Sequence, residues 1–394
     1  MAQSFNKQEN TRKLLFGYYR VSFCKRLKLC NISKCIELRC LQLLLSAVAI
    51  VFFVQCKKED DGQTVYLDNE IKLKAIELKS EVIDTCYQFI YAKDFFVYHD
   101  SILVVLNKPH QDWNFVELYN LNSNKLVKSL IKTGNGPHEM INTIAHIRNN
   151  ELIVHDFAKN QIASVDLDSA LAFPDYKFPA LIKFSNNAGS PFVTFLDENL
   201  LIMLNPYYFK NKNLGINNGA SRFIINEKDI DPNFNRVNSR LYYTYNVSQG
   251  FIVPNIEKDR IIYASNFYDE IEIYDCDLQL LRRIEGPDNL IPSYQIHNRE
   301  IIFNKTVPYT YRNYAITDDF FYLSYIGDYY TAESQLQDFD SWILKFDWDG
   351  NFIECYHSEE YVSTISLSDT DGKFYARGLD QKGTPVVWKL TRTR

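Results

Sequence analysis

The sequence is built from a repeat of about 50 to 60 residues, and this repeat limits the folds that the chain can adopt. In each copy a polar turn residue precedes a short apolar run that is rich in β-branched or aromatic residues. Six copies begin 48 to 61 residues apart, at Asp100, Asn150, Glu198, Asp259, Asp318 and Asp371. A period of this length is typical of architectures in which every copy forms one supersecondary unit.

A second element follows the first in four of the copies. It alternates apolar and polar residues and ends in an acidic or amide turn, at 116–122, 162–168, 271–277 and 343–350. Such alternation indicates a strand with one buried face, and Asn or Asp favours the turn after it. A further short strand follows some of these turns, as at 125–130 and 279–284.

Each copy therefore supplies about four strands, which is the size of one propeller blade. The six copies predict an all-β fold, a six-bladed β-propeller with four-stranded blades, over residues 65–394. We expect an N-terminal strand at 70–78 to pair with the C-terminal strand at 385–390 and complete the last blade, because this closure removes free sheet edges. Two β-sandwich domains are the alternative, but they would show turns every 8–12 residues, roughly, and no longer period.

Charge excludes one class of partner for the predicted propeller. Residues 1–55 contain nine of the 43 basic and two of the 49 acidic residues. The rest of the chain therefore has 34 basic and 47 acidic residues, a balance of −13. Because an acidic surface repels phosphate backbones, we expect no nucleic acid partner. Beyond Cys56, only Cys86, Cys276 and Cys355 are present, too few for a disulfide framework.

The N-terminal segment has the features of an export signal. Residues 41–54 are fourteen residues without a charge, preceded by Lys and Arg residues and followed by Cys56. This stretch is short for a bilayer span but fits the apolar core of a signal peptide. It resembles a bacterial lipoprotein signal, in which the cysteine after the apolar stretch becomes the acylated first residue. A conventional cleaved signal and a membrane anchor are the alternatives.

We therefore interpret residues 1–55 as an N-terminal extension with a lipoprotein signal peptide, and residues 56–64 as a tether lipidated at Cys56. Several acyl chains would hold such a protein stably at a membrane. The run Lys-Lys-Glu-Asp-Asp at 57–61 resembles the tags of surface-exposed lipoproteins of Bacteroidetes, although a solvated tether would look the same. The predicted location is the cell envelope, as an outer-membrane lipoprotein.

One loop motif carries a resemblance to a known family. The segment Gly134-Asn-Gly-Pro-His-Glu139 lies between the first two repeats, and Gly286-Pro-Asp288 is a shorter version after the fourth. Together with the repeat, the motif resembles the TolB-like six-bladed propeller lipoproteins of Bacteroidetes. The resemblance implies an envelope propeller and no particular reaction. The motif joins two blades, or, in a functional interpretation, His138 and Glu139 line the mouth of the central channel.

Tyrosine-rich segments supply further candidate ligand-binding residues. Tyr207, Tyr208, Tyr329 and Tyr330 lie in insertions longer than a blade needs, and long loops in compact domains are often functional. A tyrosine ring with a polar tip suits stacking on sugar rings or protein surfaces.

The sequence predicts no catalytic residue, metal site or cofactor. It contains neither a G-x-S-x-G nor an H-E-x-x-H motif. His155 and Asp156 are adjacent on a predicted strand, so their side chains point to opposite faces. We interpret the segments 347–350 and 369–372 as hairpin turns, because the ligand series of a calcium loop is incomplete in both.

These observations favour a binding or scaffolding module for a glycan, a peptide or an envelope protein. A glycoside hydrolase or lyase is the alternative, since acidic and His residues from different blades could meet at the channel mouth. Two carboxylates about 5–10 Å apart in a concave pocket would favour hydrolysis. A mouth lined by aromatic and neutral groups would favour binding.

Overall fold

A computed structural model describes most of the repeated part of the chain. The described ranges are 63–84, 92–108, 114–136, 138–141, 143–148, 150–156, 158–159, 161–177, 182–183, 193–197, 200–204, 220–224, 249–276, 279–297, 300–368 and 372–393. They belong to one compact unit, Asp61–Arg394. The predicted signal peptide, Cys56, Tyr207 and Tyr208 lie outside these residues. Within the described ranges, no helix has the length and apolarity that a membrane crossing requires.

The strands group into blades in the order of the repeats. Blade 1 contains β3 (Ala92–Tyr98), β4 (Ile102–Asn107), β5 (Asn114–Asn120), β6 (Lys125–Thr133) and β7 (Glu139–Met140). Blade 2 contains β8 (Thr143–Arg148), β9 (Glu151–Asp156), β10 (Gln161–Asp166) and β11 (Ile182–Lys183), with helix α2 (Leu167–Ala172) after β10. Blade 3 contains β12 (Val193–Asp197), β13 (Leu200–Leu204) and β14 (Ala220–Ile224).

The second half of the chain continues this pattern. Blade 4 contains β15 (Gly250–Asn255), β16 (Arg260–Ser265), β17 (Glu270–Tyr274) and β18 (Leu280–Glu285). A separate hairpin follows, formed by β19 (Tyr294–His297) and β20 (Glu300–Phe303). Blade 5 contains β21 (Thr306–Ile316), β22 (Phe320–Thr331), β23 (Ser341–Asp347) and β24 (Phe352–Ser358), with a 3₁₀ turn at Leu336–Asp338. Blade 6 contains β25 (Tyr361–Leu367), β26 (Phe374–Leu379) and β27 (Pro385–Arg392).

The N-terminal segment runs along the outer edges of three blades. Its elements are β1 (Gln63–Tyr66), helix α1 (Glu70–Leu73) and β2 (Ile76–Asp84). β1 pairs in parallel with β18 of blade 4. β2 first pairs with β24 of blade 5 and then, antiparallel, with β27 of blade 6. The predicted closure of the last blade by an N-terminal strand is therefore present. We call residues 63–84 the strap.

The strand that closes blade 6 begins later than the sequence pattern predicts. Residues 70–73 form a helical turn, and the strand starts at Ile76. The Asp68 side chain accepts a hydrogen bond from the Glu70 amide at 2.9 Å and so stabilises the start of this turn. Ile71 and Ala75, four residues apart, both pack against the core between blades 4 and 5. The segment 162–168 also differs, because the Asp166 carboxylate caps helix α2 where a hairpin turn is predicted.

The hydrophobic core lies between neighbouring blades. Separate apolar clusters join blade 1 to blade 2, blade 4 to blade 5, blade 5 to blade 6, and blade 6 to blade 1. The first strand of each blade is the inner one, since the first strands of blades 5, 6 and 1 contact one another. Side chains pair with the free edges of these strands. Asn313 accepts from the Ile365 amide at 3.1 Å, and Ser366 accepts from the Val97 amide at 2.8 Å.

The strand order defines two faces of the ring. On one face of the ring, the second strand of each blade ends and the chain crosses from one blade to the next. We call this the crossover face. It includes residues 134–141, 265–270, 286–294, 331–341, 358–361 and 379–385. The turns that join first to second and third to fourth strands lie on the other face, the hairpin face, which includes 98–102, 120–125, 255–260, 316–320 and 347–352.

Candidate functional site

The motif between blades 1 and 2 forms a self-supported loop. The Glu139 carboxylate accepts a hydrogen bond from the Gly136 amide at 2.7 Å. The Lys159 ammonium donates to the carbonyls of Gly134 and Glu139 at 2.7 and 2.6 Å. A Cβ atom at Gly134 would lie 2.1 Å from the Glu139 carboxylate, so only glycine allows this approach. His138 is exposed beside the loop. This geometry favours a structural role for Glu139, which stabilises the crossover loop.

In the shorter motif after blade 4, a carboxylate also accepts a hydrogen bond from a backbone amide of the loop, but it comes from a different strand connection. Asp269, between the second and third strands of blade 4, accepts from the Asp288 amide at 2.8 Å. A Cβ atom at Gly286 would lie 1.7 Å from Asp269 Oδ1. Both motifs therefore leave room for a carboxylate that accepts a backbone N–H of the loop. Burial raises the pKa of Asp269, while hydrogen bonds from Tyr325, the Asp288 amide and Tyr311 oppose this shift.

An aromatic cluster lies where blades 5 and 6 meet on the crossover face. Strands β21 and β22 extend past β23, and their protruding ends carry Tyr309 and Tyr330. The Tyr309 ring centroid is 6.2 Å from that of Tyr330 and 6.3 Å from that of Phe339. The hydroxyls of Tyr309 and Tyr361 are 3.1 Å apart. Burial raises the pKa of Tyr361, and the charges of Arg312 and Arg377 partly oppose this shift.

Two arginines accompany the aromatic cluster. The Arg312 guanidinium lies over the Tyr309 ring, 3.9 Å from its centroid. Two register shifts in β21, on either side of Tyr311, bring these side chains together, although three positions separate them. Arg377 lies on β26, and its charge acts on both the Tyr361 hydroxyl and the Asp94 carboxyl. Both arginines are half-buried. We call Tyr309, Arg312, Tyr330, Phe339, Tyr361 and Arg377 the mouth cluster.

Asp94 brings blade 1 to the same mouth. It lies near the start of inner strand β3, and burial raises the pKa of its carboxyl to about 7, against the opposing charges of Lys93 and Arg377. The neighbouring Lys93 ammonium donates to the Thr143 carbonyl of blade 2 at 2.7 Å. Burial, and after it the charge of Asp94, raises the pKa of Tyr314, whose ring stacks 5.3 Å from that of Phe251 in blade 4. The inner strands of blades 1, 4 and 5 therefore face a common channel.

Two carboxyl groups in blade 4 lie as close together as a catalytic acid pair would, but neighbouring side chains of the protein already bind them. The Arg283 guanidinium lies 2.9 Å from Glu270 and 2.7 Å from Glu272. Burial and the neighbouring Glu272 raise the pKa of Glu270 to about 9. The Glu272 side chain is only 1% exposed and accepts from the Tyr274 hydroxyl. A substrate therefore cannot reach Glu272, and the pair serves as a buried polar contact.

The other acidic and histidine candidates have structural partners. Asp156 accepts backbone amides from Ile141 and Ala158 at 2.7 and 3.0 Å. Burial lowers the pKa of the neighbouring His155 to about 4, so its ring is neutral at pH 7. The Asp347 carboxylate accepts from the Asn351 amide at 2.8 Å, as in a hairpin turn. Within the residues that the structure describes, no group of acidic, His or Cys side chains could hold a metal ion.

The candidates named from sequence divide into separate parts of the crossover face. His138 and Glu139 belong to the crossover between blades 1 and 2, whereas Tyr329 and Tyr330 end the second strand of blade 5. Of these, Tyr330 joins the mouth cluster, and Tyr329 pairs with Pro308 along the strand edge. The remaining members of the mouth cluster were not among the residues predicted from the sequence. The density of aromatic and cationic residues in 309–314, Tyr-Thr-Tyr-Arg-Asn-Tyr, was the available signal for Tyr309 and Arg312.

Comparisons with known proteins agree with this architecture. A family model described as the TolB-like six-bladed propeller matches residues 70–370. A solved member of the DUF4221 family from Bacteroides vulgatus superposes with a TM-score of 0.50 at 8% identity, covering 81% of this chain and 98% of its own. A candidate exported protein from Bacteroides fragilis gives a TM-score of 0.45 at 10% identity, with 84% and 99% covered. A search of curated proteins finds no match. The chain belongs to the TolB-like six-bladed propeller family.

Proposed function

We propose that this propeller is a lipid-anchored module of the bacterial cell envelope that binds a glycan, a peptide or another envelope protein through its crossover face. The mouth cluster is the observation that carries this proposal. It combines several aromatic rings with two guanidiniums at the junction of two blades. Tyrosine and arginine are enriched at the centres of binding surfaces, because they supply contact area and polar groups together.

The course of the strap supports an anchored, outward-facing arrangement. β1 runs parallel to β18, so Gln63 lies at the end of β1 nearer the hairpin face. Arg282, the pairing partner of Gln63, donates to Asn351 in a turn of that same face. Gln63 lies seven positions after Cys56, and this length of chain can reach about 25 Å at most. A lipid on Cys56 would therefore hold the hairpin face toward the membrane and the crossover face away from it.

Two measurements test the two parts of this proposal. Incorporation of labelled palmitate into the expressed chain tests the anchor, and a Cys56→Ser variant should lose the label. An array of glycans and peptides probed with the purified protein tests binding. We expect a signal that falls at least tenfold for Tyr309→Ala, since removing an aromatic anchor costs about 2 kcal/mol or more. An array on which both proteins give the same signals would refute binding through the mouth cluster.

A further inference from the structure

The arginines of the mouth cluster differ from the other arginines that the structure describes in blades 4 to 6. Arg260, Arg283 and Arg392 each pair with a carboxylate at 2.7–3.0 Å. Arg282 donates hydrogen bonds to the side-chain oxygens of Asn351 and Gln63. Within the described residues, the Arg377 Nε atom has no hydrogen-bond acceptor, and the contact of the Arg312 guanidinium is with the Tyr309 ring. The charge of the Asp94 carboxyl also acts on Arg377. The Arg377 Nε atom is itself buried. Half-buried guanidiniums usually have acceptors, because desolvation without one is costly.

The other polar groups of the mouth cluster are tyrosine hydroxyls, which can donate. The Asp94 carboxyl, which acts on Arg377 from blade 1, lies outside the cluster. Tyr309 and Tyr361 share one hydrogen bond between their hydroxyls, which leaves one of the two O–H protons available. Two guanidiniums and this hydroxyl therefore present several donors at one place. A ligand for these donors must be an acceptor with several lone pairs. A carboxylate meets this requirement, since arginine binds carboxylates through two parallel hydrogen bonds.

The aromatic rings beside these donors further restrict the chemical class of the ligand. The ring centroids of Tyr309, Tyr330 and Phe339 lie 6.2–6.3 Å from one another. Tyr309 and Tyr330 are half-buried. Their exposed edges offer an apolar surface next to the guanidiniums, and a sugar ring that carries a carboxyl group matches both parts. A flexible acidic peptide would supply the charge but would need no ring surface, and ordering it would cost more entropy.

We propose that the mouth cluster binds a uronic-acid residue of an acidic glycan, with the sugar carboxylate held by Arg312 and Arg377 and the sugar ring placed against Tyr309 and Tyr330. This assignment rests on the proposed binding function and names the chemical class of its ligand. It concerns the crossover face alone and does not depend on the anchor. The Arg312 guanidinium covers one face of the Tyr309 ring, so the sugar ring would contact the parts of Tyr309 and Tyr330 that this cation leaves exposed.

Calorimetry with defined polysaccharide fragments tests the assignment. The probes are oligosaccharides of galacturonate, glucuronate, and mannuronate with guluronate, each used also after its carboxyls have been reduced to alcohols. We expect at least one acidic fragment to bind, and its affinity to fall at least tenfold after reduction. Arg312→Gln should cause a similar loss. Arg312→Lys keeps the charge but not the paired donors, and it should bind with intermediate affinity.

Arg260→Gln is the matched control. This arginine is half-buried like Arg312, but it lies on the hairpin face and pairs with Asp349 at 2.7 Å. Its loss should leave glycan affinity within twofold. Thermal melting of every variant verifies that the propeller is folded, and Arg377→Lys provides a second folded variant, which should also weaken binding.

The outcomes separate this proposal from the broader one. Equal binding of acidic and reduced fragments, or unchanged affinity in the arginine variants, would overturn the carboxylate site and leave glycan binding intact. Binding of poly-glutamate with no binding of any uronate fragment would replace the glycan by an acidic peptide. If neither the acidic and reduced fragments nor the glycans and peptides of the array bind the wild-type protein, the binding function fails together with this site.

Discussion

Glu139 shows at the residue scale how a motif with ligand-binding chemistry can serve the fold. Its carboxylate accepts the Gly136 amide within the crossover. A charge-assisted hydrogen bond of this kind contributes about 1–2 kcal/mol to stability. We expect Glu139→Ala to lower the free energy of unfolding by that amount in urea titrations. Asn135→Ala, at an exposed position of the same loop, should change it by less than about 0.5 kcal/mol. Equal stabilities with weakened ligand binding would assign Glu139 to a site instead.

Asp94 makes stability depend on pH in a defined direction. Its pKa is about 7 in the folded chain and about 3.9 in an unfolded one. The folded state thus binds more protons between these values, so this carboxyl stabilises the fold below pH 4 and the contribution is lost as pH rises to 7. Asp94→Asn should gain about 1–2 kcal/mol relative to wild type over this range, allowing for partial exposure. The contribution of His155 to stability changes with pH in the opposite direction. It is the same in both proteins and therefore cancels when their unfolding free energies are compared.

Denaturation of both proteins at several pH values checks this prediction. The quantity to plot is the difference in unfolding free energy between Asp94→Asn and wild type. A difference that stays constant from pH 4 to 8 would mean that the Asp94 carboxyl titrates alike in the folded and unfolded chains.

At the scale of elements, the sequence predicts strands better than it predicts what lies between them. The six apolar runs all fall on second strands, because a buried strand flanked by turns needs only local residues to be visible. The helical turn at 70–73 was not visible, since its alternating residues fit a strand equally well and only the contacts of Ile71 and Ala75 decide. The mouth cluster was hidden for a related reason. Its members come from four strands and one loop, and register shifts orient Arg312.

The strap provides a test at this scale. The Lys72 ammonium of helix α1 pairs with Asp288 and lies 5.2 and 5.1 Å from the ring centroids of Tyr325 and Trp342. The side chains of this ion pair are only 16% and 19% exposed. Lys72→Ala should therefore cost about 2–3 kcal/mol, because it leaves the Asp288 carboxylate partly buried without its cation.

Lys74 is the matched control for Lys72. It lies two residues further along and pairs with Glu70, with side chains 75% and 62% exposed. An exposed pair of this kind contributes little, so Lys74→Ala should change stability by less than about 0.5 kcal/mol. Amide exchange in β1 and β2 is the second measurement, since a loosened strap should exchange faster in Lys72→Ala alone. Equal effects of the two substitutions would contradict the role of Lys72 in holding the strap.

At the scale of the whole molecule, the strap links closure of the ring to the direction of the chain's entry. β2 supplies the outer strand of blade 6, so the segment that completes the propeller is continuous with the predicted tether. Removing free edges in this way protects a sheet from edge-to-edge association. The repeat predicts the number of blades, but the face of the ring at which β1 begins follows only from its parallel pairing with β18.

This entry direction predicts the orientation of the anchored protein. Fluorescent labels on Gln335→Cys, at the crossover face, and Asp319→Cys, at the hairpin face, occupy exposed positions of the same blade. With the lipidated chain on neutral vesicles that contain acceptor lipids, and with Cys86 and Cys276 replaced by Ser, energy transfer should be stronger from position 319. Inserting about forty Gly and Ser residues after Gly62 should weaken the difference, since a long flexible linker releases the constraint. Equal transfer from both positions of the short-tethered protein would refute the orientation, whereas failure to float with vesicles would refute the anchor itself.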